Sequence, residues 1–376
     1  MRIAMLNRYF YPAIGGVENH IKNLSRELIK MGHEIVIICS NRNFKGEKIE
    51  KKHENIQGIN IFRYNKFKEI HKLLKKLKVD IVHIHLYRST HTPFLFREAK
   101  KAKLPIIHTP HCIYPPKSFV DLLKKKIYDF LFSSLIINSS SVIINLTKQD
   151  QMDMMKLGMK KEKSIIIPNS IIIPPETKKE TNVFKKYKLA ENYILYVGRI
   201  DWNKGIDKLI YVVKKVQELD SRCIELAIVG EDISEKKKLL KLIKKLNLEE
   251  KVKFLGFVPS NDLISLYKYA TCFILLSAYE GLPTVVLEAM FHSTVTIATA
   301  EGGTKFVIEN GVDGFLVDKE DINNIAEIII KLVKNRQEGV EIGKRAKEKI
   351  INNYLWEKNS VKMKDIYYRI VRKNEL

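Results

Sequence analysis

Tyr279-Glu280-Gly281-Leu282-Pro283-Thr284-Val285-Val286-Leu287-Glu288-Ala289-Met290 holds two carboxylates with seven residues between them. An apolar run over 272–277 precedes it and reads as a buried strand. Pro283 suits the first turn of a helix, where no N–H donor is needed. The spacing predicts a helix from about Thr284, with Val285, Val286, Leu287, Ala289 and Met290 around it. Glu288 then lies inside an apolar helix. An unpartnered buried carboxylate is costly, so Glu288 calls for a polar ligand or a cation. Glu280 falls at the turn before the helix, beside Gly281. The free N–H groups of a helix start attract phosphate. Strand, polar turn and helix together predict one carboxylate beside a reacting group, one further along, and an anion between them.

The same unit recurs on both sides. Residues 193–197 (Tyr-Ile-Leu-Tyr-Val) read as a strand ending in Gly198 and the cation Arg199. Asp201-Trp202-Asn203-Lys204-Gly205 follows, then a helical pattern over 206–219. Further strands are predicted at 226–230, 252–257 and 272–277. In the first half, strands are predicted at 2–6, 34–39, 58–63, 81–85, 106–109, 142–145 and 164–167, and a helix over 17–31. Alternating strands and helices predict parallel sheets covered by helices on both faces. A proline-containing stretch at 168–188 separates the two series. The predicted organisation is therefore domains at 1–173 and 191–355, a linker at 174–190, and a last helix over 356–376. Ligands of doubly wound sheets bind beyond the carboxyl ends of the strands, here in a cleft between the two domains.

Four more features carry chemistry. Gly15-Gly16 follows the first strand and opens a helix, so a phosphate or sugar can approach its backbone closely. It is not the dinucleotide pattern, because no acidic residue follows where a ribose would be read. Arg199 and Lys204, bracketed by Gly198 and Gly205, can stabilise negative charge that grows on a diphosphate leaving group. His83 and His85 alternate on one strand and so share a face. They make a metal pair without a third ligand, so cleft lining or core packing is the stronger reading. His111 follows a strand in Thr109-Pro110-His111-Cys112.

In this order, with Gly15-Gly16-Val17-Glu18, Gly302-Gly303-Thr304 and Gly311-Val312-Asp313-Gly314, these motifs resemble the retaining GT-B glycosyltransferases. That large group includes bacterial mannosyltransferases and glycogen synthase, and the resemblance covers nearly the whole chain. It implies an α/β protein with two Rossmann-like, doubly wound domains facing a central cleft. It implies transfer of a sugar from a UDP- or GDP-linked donor with retention of anomeric configuration and without a metal or other cofactor. In that reading Arg199 and Lys204 stabilise the leaving group, while Glu280 and His111 position the sugar. The donor is held by Gly15, Gly16, Arg199, Lys204, Glu280 and the Gly281, Leu282, Pro283 and Thr284 backbone. Glu288 binds the ribose, and the base lies near Gly256-Phe257-Val258. Glu18, Asn19 and Tyr9, with Tyr11 nearby, fall on the acceptor side. Two departures stand out: Ser170 in Pro168-Asn169-Ser170, where the family shows glycine, and Cys112 after His111. The opening segment from Tyr9 to His20 most resembles enzymes that act on lipid-linked acceptors or build surface polysaccharides.

Composition narrows the alternatives. No Asp-x-Asp occurs in the 376 residues, which argues against the other main glycosyltransferase fold, where a metal holds the diphosphate. A phosphorylase of this fold needs a pyridoxal-binding lysine and a much longer chain. An epimerase needs a different acidic set. The formal charge of +23 also raises a basic nucleic-acid-binding protein, but no recognised binding module is present. Lysine-rich helix faces such as 236–245 read as solvated surfaces. One stretch differs. Lys124-Lys125-Lys126 adjoins Ile127, Tyr128, Phe130, Leu131 and Phe132, which suits an interfacial helix on an anionic membrane as well as a plain buried one. Cys39, Cys112, Cys223 and Cys272 lie far apart, without metal-ligand spacing, and read as inert thiols in a reducing compartment. The expectation is a cytoplasmic protein, peripheral at the inner membrane face, with no nucleic-acid partner.

Overall fold

The computed structural model describes residues 1–13, 15–174, 181–220 and 224–375. Cys223 lies outside them. The chain divides into two compact units, Met1–Ile172 with Leu355–Leu376, and Ile173–Tyr354. Each is an α/β sheet layered with helices.

The first unit contains β1 (Arg2–Leu6), β2 (Glu34–Ser40), β3 (His53–Ile56), β4 (Ile59–Tyr64), β5 (Ile81–His85), β6 (Ile106–Thr109), β7 (Val142–Asn145) and β8 (Ser164–Ile166). Its helices are α1 (Gly16–Lys30), α2 (Lys68–Lys76), α3 (Thr92–Lys101), α4 (Phe119–Ser139) and α5 (Lys148–Lys156). The strands stand in the order β3-β4-β2-β1-β5-β6-β7-β8. Alternate residues of β1 feed the two faces: Ile3 and Met5 enter one core cluster, Ala4 and Leu6 the other. Such continuous apolar strands are the mark of a sheet covered on both sides. The polar edge strand β3 carries no apolar run and was not foreseen. It runs antiparallel to β4, so the sheet is not wholly parallel. Gln57 (φ 53°) and Gly58 (φ 84°) supply the two left-handed residues that a tight hairpin turn needs.

The second unit opens with α6 (Val183–Tyr187). It continues with β9 (Tyr193–Val197), α7 (Ile206–Leu219), β10 (Glu225–Val229), α8 (Lys236–Lys245), β11 (Val252–Gly256), α9 (Ser260–Tyr269) and β12 (Cys272–Leu275). Next come α10 (Thr284–Phe291), β13 (Thr296–Thr299), β14 (Phe315–Val317), α11 (Ile322–Lys334) and α12 (Arg336–Asn353). Its six strands are ordered β11-β10-β9-β12-β13-β14, and all run parallel. The span 174–190, expected as a linker, is partly folded. Buried Asp262 of α9 accepts from Thr181 (2.7 Å) and Tyr187 (2.5 Å) and pairs with Lys186. Residues 175–180 lie outside the described residues. The last helix, α13 (Trp356–Glu375), packs on the first unit: Trp356, Met363, Ile366, Tyr367 and Ile370 share a cluster with Ile3 and Met5.

Both sheets reverse their winding once, between β1 and β5 and between β9 and β12. Ligand crevices of doubly wound sheets open at the carboxyl ends of such strand pairs.

Candidate active site

In the second unit, Arg199 and Lys204 follow β9, and Glu280 follows β12, so the switch point brings the two loops together. Lys204 Nζ meets Glu280 Oε1 at 2.5 Å, and both side chains are largely buried. The loops are bound by their backbones as well. Ala278 N donates to Asn203 O (2.8 Å), and Asn203 Nδ2 to Tyr279 O (3.2 Å). Two glycines make the approach feasible. Gly205 (φ 64°) would drive a Cβ into the Leu276 carbonyl, and Gly302 (φ 61°) into the Glu280 carbonyl. Gly303 N also donates to Glu280 O at 3.0 Å. Arg199 differs from Lys204: it is mostly exposed and pairs loosely with Asp201 at 3.5 Å.

Pro283 is the residue before the helix rather than its first turn. It is extended (φ −72°, ψ 118°), and α10 starts at Thr284 with no side-chain cap. The Thr284 and Val285 N–H groups of that first turn are the donors an anion would meet, while Val286 N turns back to Pro283 O at 3.2 Å. Glu288, one helical turn from the end of α10, is only partly exposed. Its partner is the Tyr267 hydroxyl, which donates to Oε2 at 3.1 Å, not a cation. Burial raises its carboxyl from 4.5 to about 7, against the bond from Tyr267. Phe257, just after β11, stands 85% exposed, beside Gly256 (φ 65°). An aromatic face so bare offers a stacking surface.

In the first unit, Gly15 is extended and precedes α1, while Gly16 and Asn19 are exposed. Glu18 is buried and accepts from Asn7 Nδ2 at 3.0 Å. A Cβ on Gly15 would strike the Glu18 carboxylate. Tyr9 packs edge-on against Phe44 (4.9 Å) and lines a hollow with Arg8, Ser40, Asn41, Asn65 and His91. Tyr11 is half exposed. Ser170, where glycine was the family expectation, does not adopt a positive φ. Its hydroxyl accepts from Asn359 Nδ2 at 2.8 Å.

The histidines assemble differently from a His83–His85 pair. His85 Nδ1 faces His111 Nε2 at 2.9 Å, and the His20 ring stands edge-on to His111 at 4.6 Å. Nitrogens of His20, His85 and His111 fall within 4.8 Å of one another. The 2.9 Å contact is a hydrogen bond, shorter than the ~3.3 Å between two nitrogens on one zinc ion. His83 is occupied elsewhere, by Tyr367 OH and Thr109 Oγ1, each at 2.7 Å. Burial lowers His20 to about 4 and holds His83, His85 and His111 well below the usual range, so all four are neutral at pH 7. Three residues here escaped the sequence reading: His20, Asn7 and Tyr267. Only Asn7 left a signal, a polar residue directly after an apolar strand. The described thiols are free and buried, at Cys39, Cys112 and Cys272, and burial pushes Cys39 up to about 12.

Comparison with known proteins agrees with this layout. The model of the glycosyl transferases group 1 matches residues 178–349, and that of glycosyltransferase family 4 matches residues 14–173. An uncharacterised glycosyltransferase of Methanocaldococcus jannaschii is 25% identical over 98% of both chains. A phosphatidylinositol N-acetylglucosaminyltransferase subunit of Arabidopsis thaliana is 24% identical, over 89% of this chain and 74% of that one. The structure of Anabaena HepE in complex with UDP-glucose superposes with a TM-score of 0.80 at 18% identity, over 98% of this chain and 100% of the other. Two doubly wound units of GT-B type, matched along most of their length by these two models, make the chain a member of the group 1 glycosyltransferases.

Proposed function

We propose that the chain transfers a sugar from a UDP- or GDP-sugar, with retention of configuration and without a metal, to a lipid-linked glycan or surface-polysaccharide precursor. The observation that carries this reading is the Lys204–Glu280 pair at the mouth of α10. A cation, a carboxylate and the N–H groups of a helix start meet there, as a sugar diphosphate requires. Lys204 and Arg199 take the charge of the departing diphosphate. The Gly281–Thr284 backbone holds that diphosphate, and Gly15 and Gly16 let the donor approach their own backbone closely. Glu280 accepts from sugar hydroxyls, Glu288 from those of the ribose, and Phe257 covers the base. His111 positions the sugar. In a same-face displacement the leaving phosphate oxygen takes the acceptor's proton as the new glycosidic bond forms, so no separate base is needed. Glu18, Asn19 and Tyr9 serve the acceptor.

The acceptor reading is supported by α4. Phe119, Val120, Leu123, Ile127, Phe130 and Leu131 are all exposed, Phe130 to 87%. They recur at helical spacing as one stripe, and exposed Lys124 and Lys126 flank it on either side. Lys125 is not part of that face: it pairs with Asp121 at 2.7 Å. A bare apolar stripe edged by lysines matches an anionic membrane surface, where it lies in the headgroup plane. That surface brings the enzyme to a lipid-linked acceptor. No described helix is long and apolar enough to cross a membrane.

The test is the anomeric configuration of the product. UDP- and GDP-sugars are supplied with a lipid-linked acceptor, and the new anomeric proton is followed by NMR. Retention of the donor's configuration is expected; inversion contradicts the reading.

A further inference from the structure

The His85–His111 contact allows the protons on both rings to be assigned. Two neutral imidazoles joined at 2.9 Å share a single proton: one nitrogen donates and the other accepts. The direction follows from the opposite edge of His85. Its Nε2 is fully buried and has no partner. A buried N–H with nothing to donate to is rarer and costlier than a buried lone pair. The His85 proton therefore sits on Nδ1 and is donated to His111 Nε2. His111 must then carry its own proton on Nδ1. Among the described residues nothing accepts from that nitrogen, and His111 is partly exposed. Its ring thus presents an outward N–H.

The ring is held firmly in that pose. His83 packs against His85 with ring centroids 4.1 Å apart and is pinned at both nitrogens. His111 (φ 57°) and Cys112 (φ 95°) both adopt left-handed backbone, which non-glycine residues keep only under constraint. Just ahead of them, Leu86 N and Tyr87 N clamp the carbonyls of Thr109 and Pro110, at 3.0 and 3.1 Å.

We propose that His85 is a positioning residue that locks His111 as the Nδ1–H tautomer, making His111 a hydrogen-bond donor to the sugar and not a proton acceptor. The role given to His111 rests on the sugar-positioning reading above; the tautomer does not.

The full chain labelled with 15N-histidine tests this through long-range 1H–15N correlation, which distinguishes Nδ1–H from Nε2–H imidazole. His111→Gln identifies the His111 signals by their loss. The expected wild-type pattern is Nδ1–H. His85→Asn, whose amide N–H can replace the His85 donor, should keep that pattern and most of the activity. His85→Asp, whose carboxylate can only accept, should place a proton on His111 Nε2 and lower kcat by roughly 10- to 100-fold with KM little changed. An Nε2–H pattern in the wild type, or one unmoved by His85→Asp, overturns the tautomer assignment. If the tautomer follows His85 as described but His111→Gln transfers sugar at the wild-type rate, the role of His111 falls and the tautomer stands.

Discussion

Lys204 and Glu280 bear the most weight of any residue pair, because each is both a structural partner and a proposed ligand for substrate. The two roles separate experimentally. Lys204→Ala should lower turnover by roughly two to three orders of magnitude, as loss of one fixed charge-stabilising group does. It also strands the Glu280 carboxylate in a largely buried place, so the melting temperature should fall. Adding Glu280→Gln should restore much of that melting temperature, since no charge is then left unpaired. Turnover should stay low. Near-normal turnover in Lys204→Ala would remove it from the clamp. The two glutamates part by calorimetry with a bare nucleoside diphosphate: Glu280→Gln should leave that affinity nearly intact, and Glu288→Gln should weaken it. Glu288 adds a pH signature. Its carboxyl is raised to about 7 in the folded chain, and only the ionised form accepts from both ribose hydroxyls. Affinity should rise about tenfold between pH 6 and 8, beyond any change seen in Glu288→Gln, which also corrects for titration of the ligand's own phosphate. The sign reverses for the unliganded fold. A carboxyl raised from 4.5 to about 7 gives stability at low pH that is lost as pH climbs through that window, so Glu288→Gln should flatten the fall. A wild-type affinity that falls with pH would contradict the ribose assignment.

At the scale of elements, the burden falls on α4. Replacing Lys124 and Lys126 with Glu should reduce sedimentation with anionic liposomes at low salt, where each lysine is worth about 1 kcal/mol near the surface. Neutral liposomes should bind little throughout, and hydrolysis of the nucleotide sugar in solution should change little. Parent-like sedimentation of the double variant would return the stripe to ordinary surface. This element also marks the limit of the sequence. The string Lys124-Lys125-Lys126 is uniform on paper, yet one member pairs with Asp121 and two stay exposed. Helical phase separates them, and that phase depends on where Ser118 caps the helix, by accepting from Asp121 N at 3.2 Å. Strands with a two-sided core, such as β1, β9 and β12, were legible because a fully buried strand reads as an unbroken apolar run. β3 was not legible: the Gln57-Gly58 turn after it is its one signal, and its side chains other than Ile56 are polar.

On the scale of the whole molecule, motif order conveyed more than any single motif. Glycines, cations and carboxylates each follow a strand, and the winding of each sheet turns that order into proximity, as for Lys204 and Glu280, 76 positions apart. Partners that no motif announces stayed hidden for the same reason. Tyr267 reaches Glu288 from α9, and His20, His85 and His111 come from three different segments of one unit. If fixed cations do the work of a metal, turnover should persist in excess EDTA. Loss that manganese or magnesium restores would oppose it. The most direct measurement is a thermal-shift panel in EDTA with UDP, GDP, ADP and their sugar conjugates, on the wild type and on Glu288→Gln. UDP or GDP should raise the melting temperature of the wild type, ADP should not, and Glu288→Gln should lose most of the rise. No shift with any nucleotide, or an equal shift in Glu288→Gln, would contradict the claim that the turn and helix from Glu280 to Glu288 form the nucleotide-sugar site.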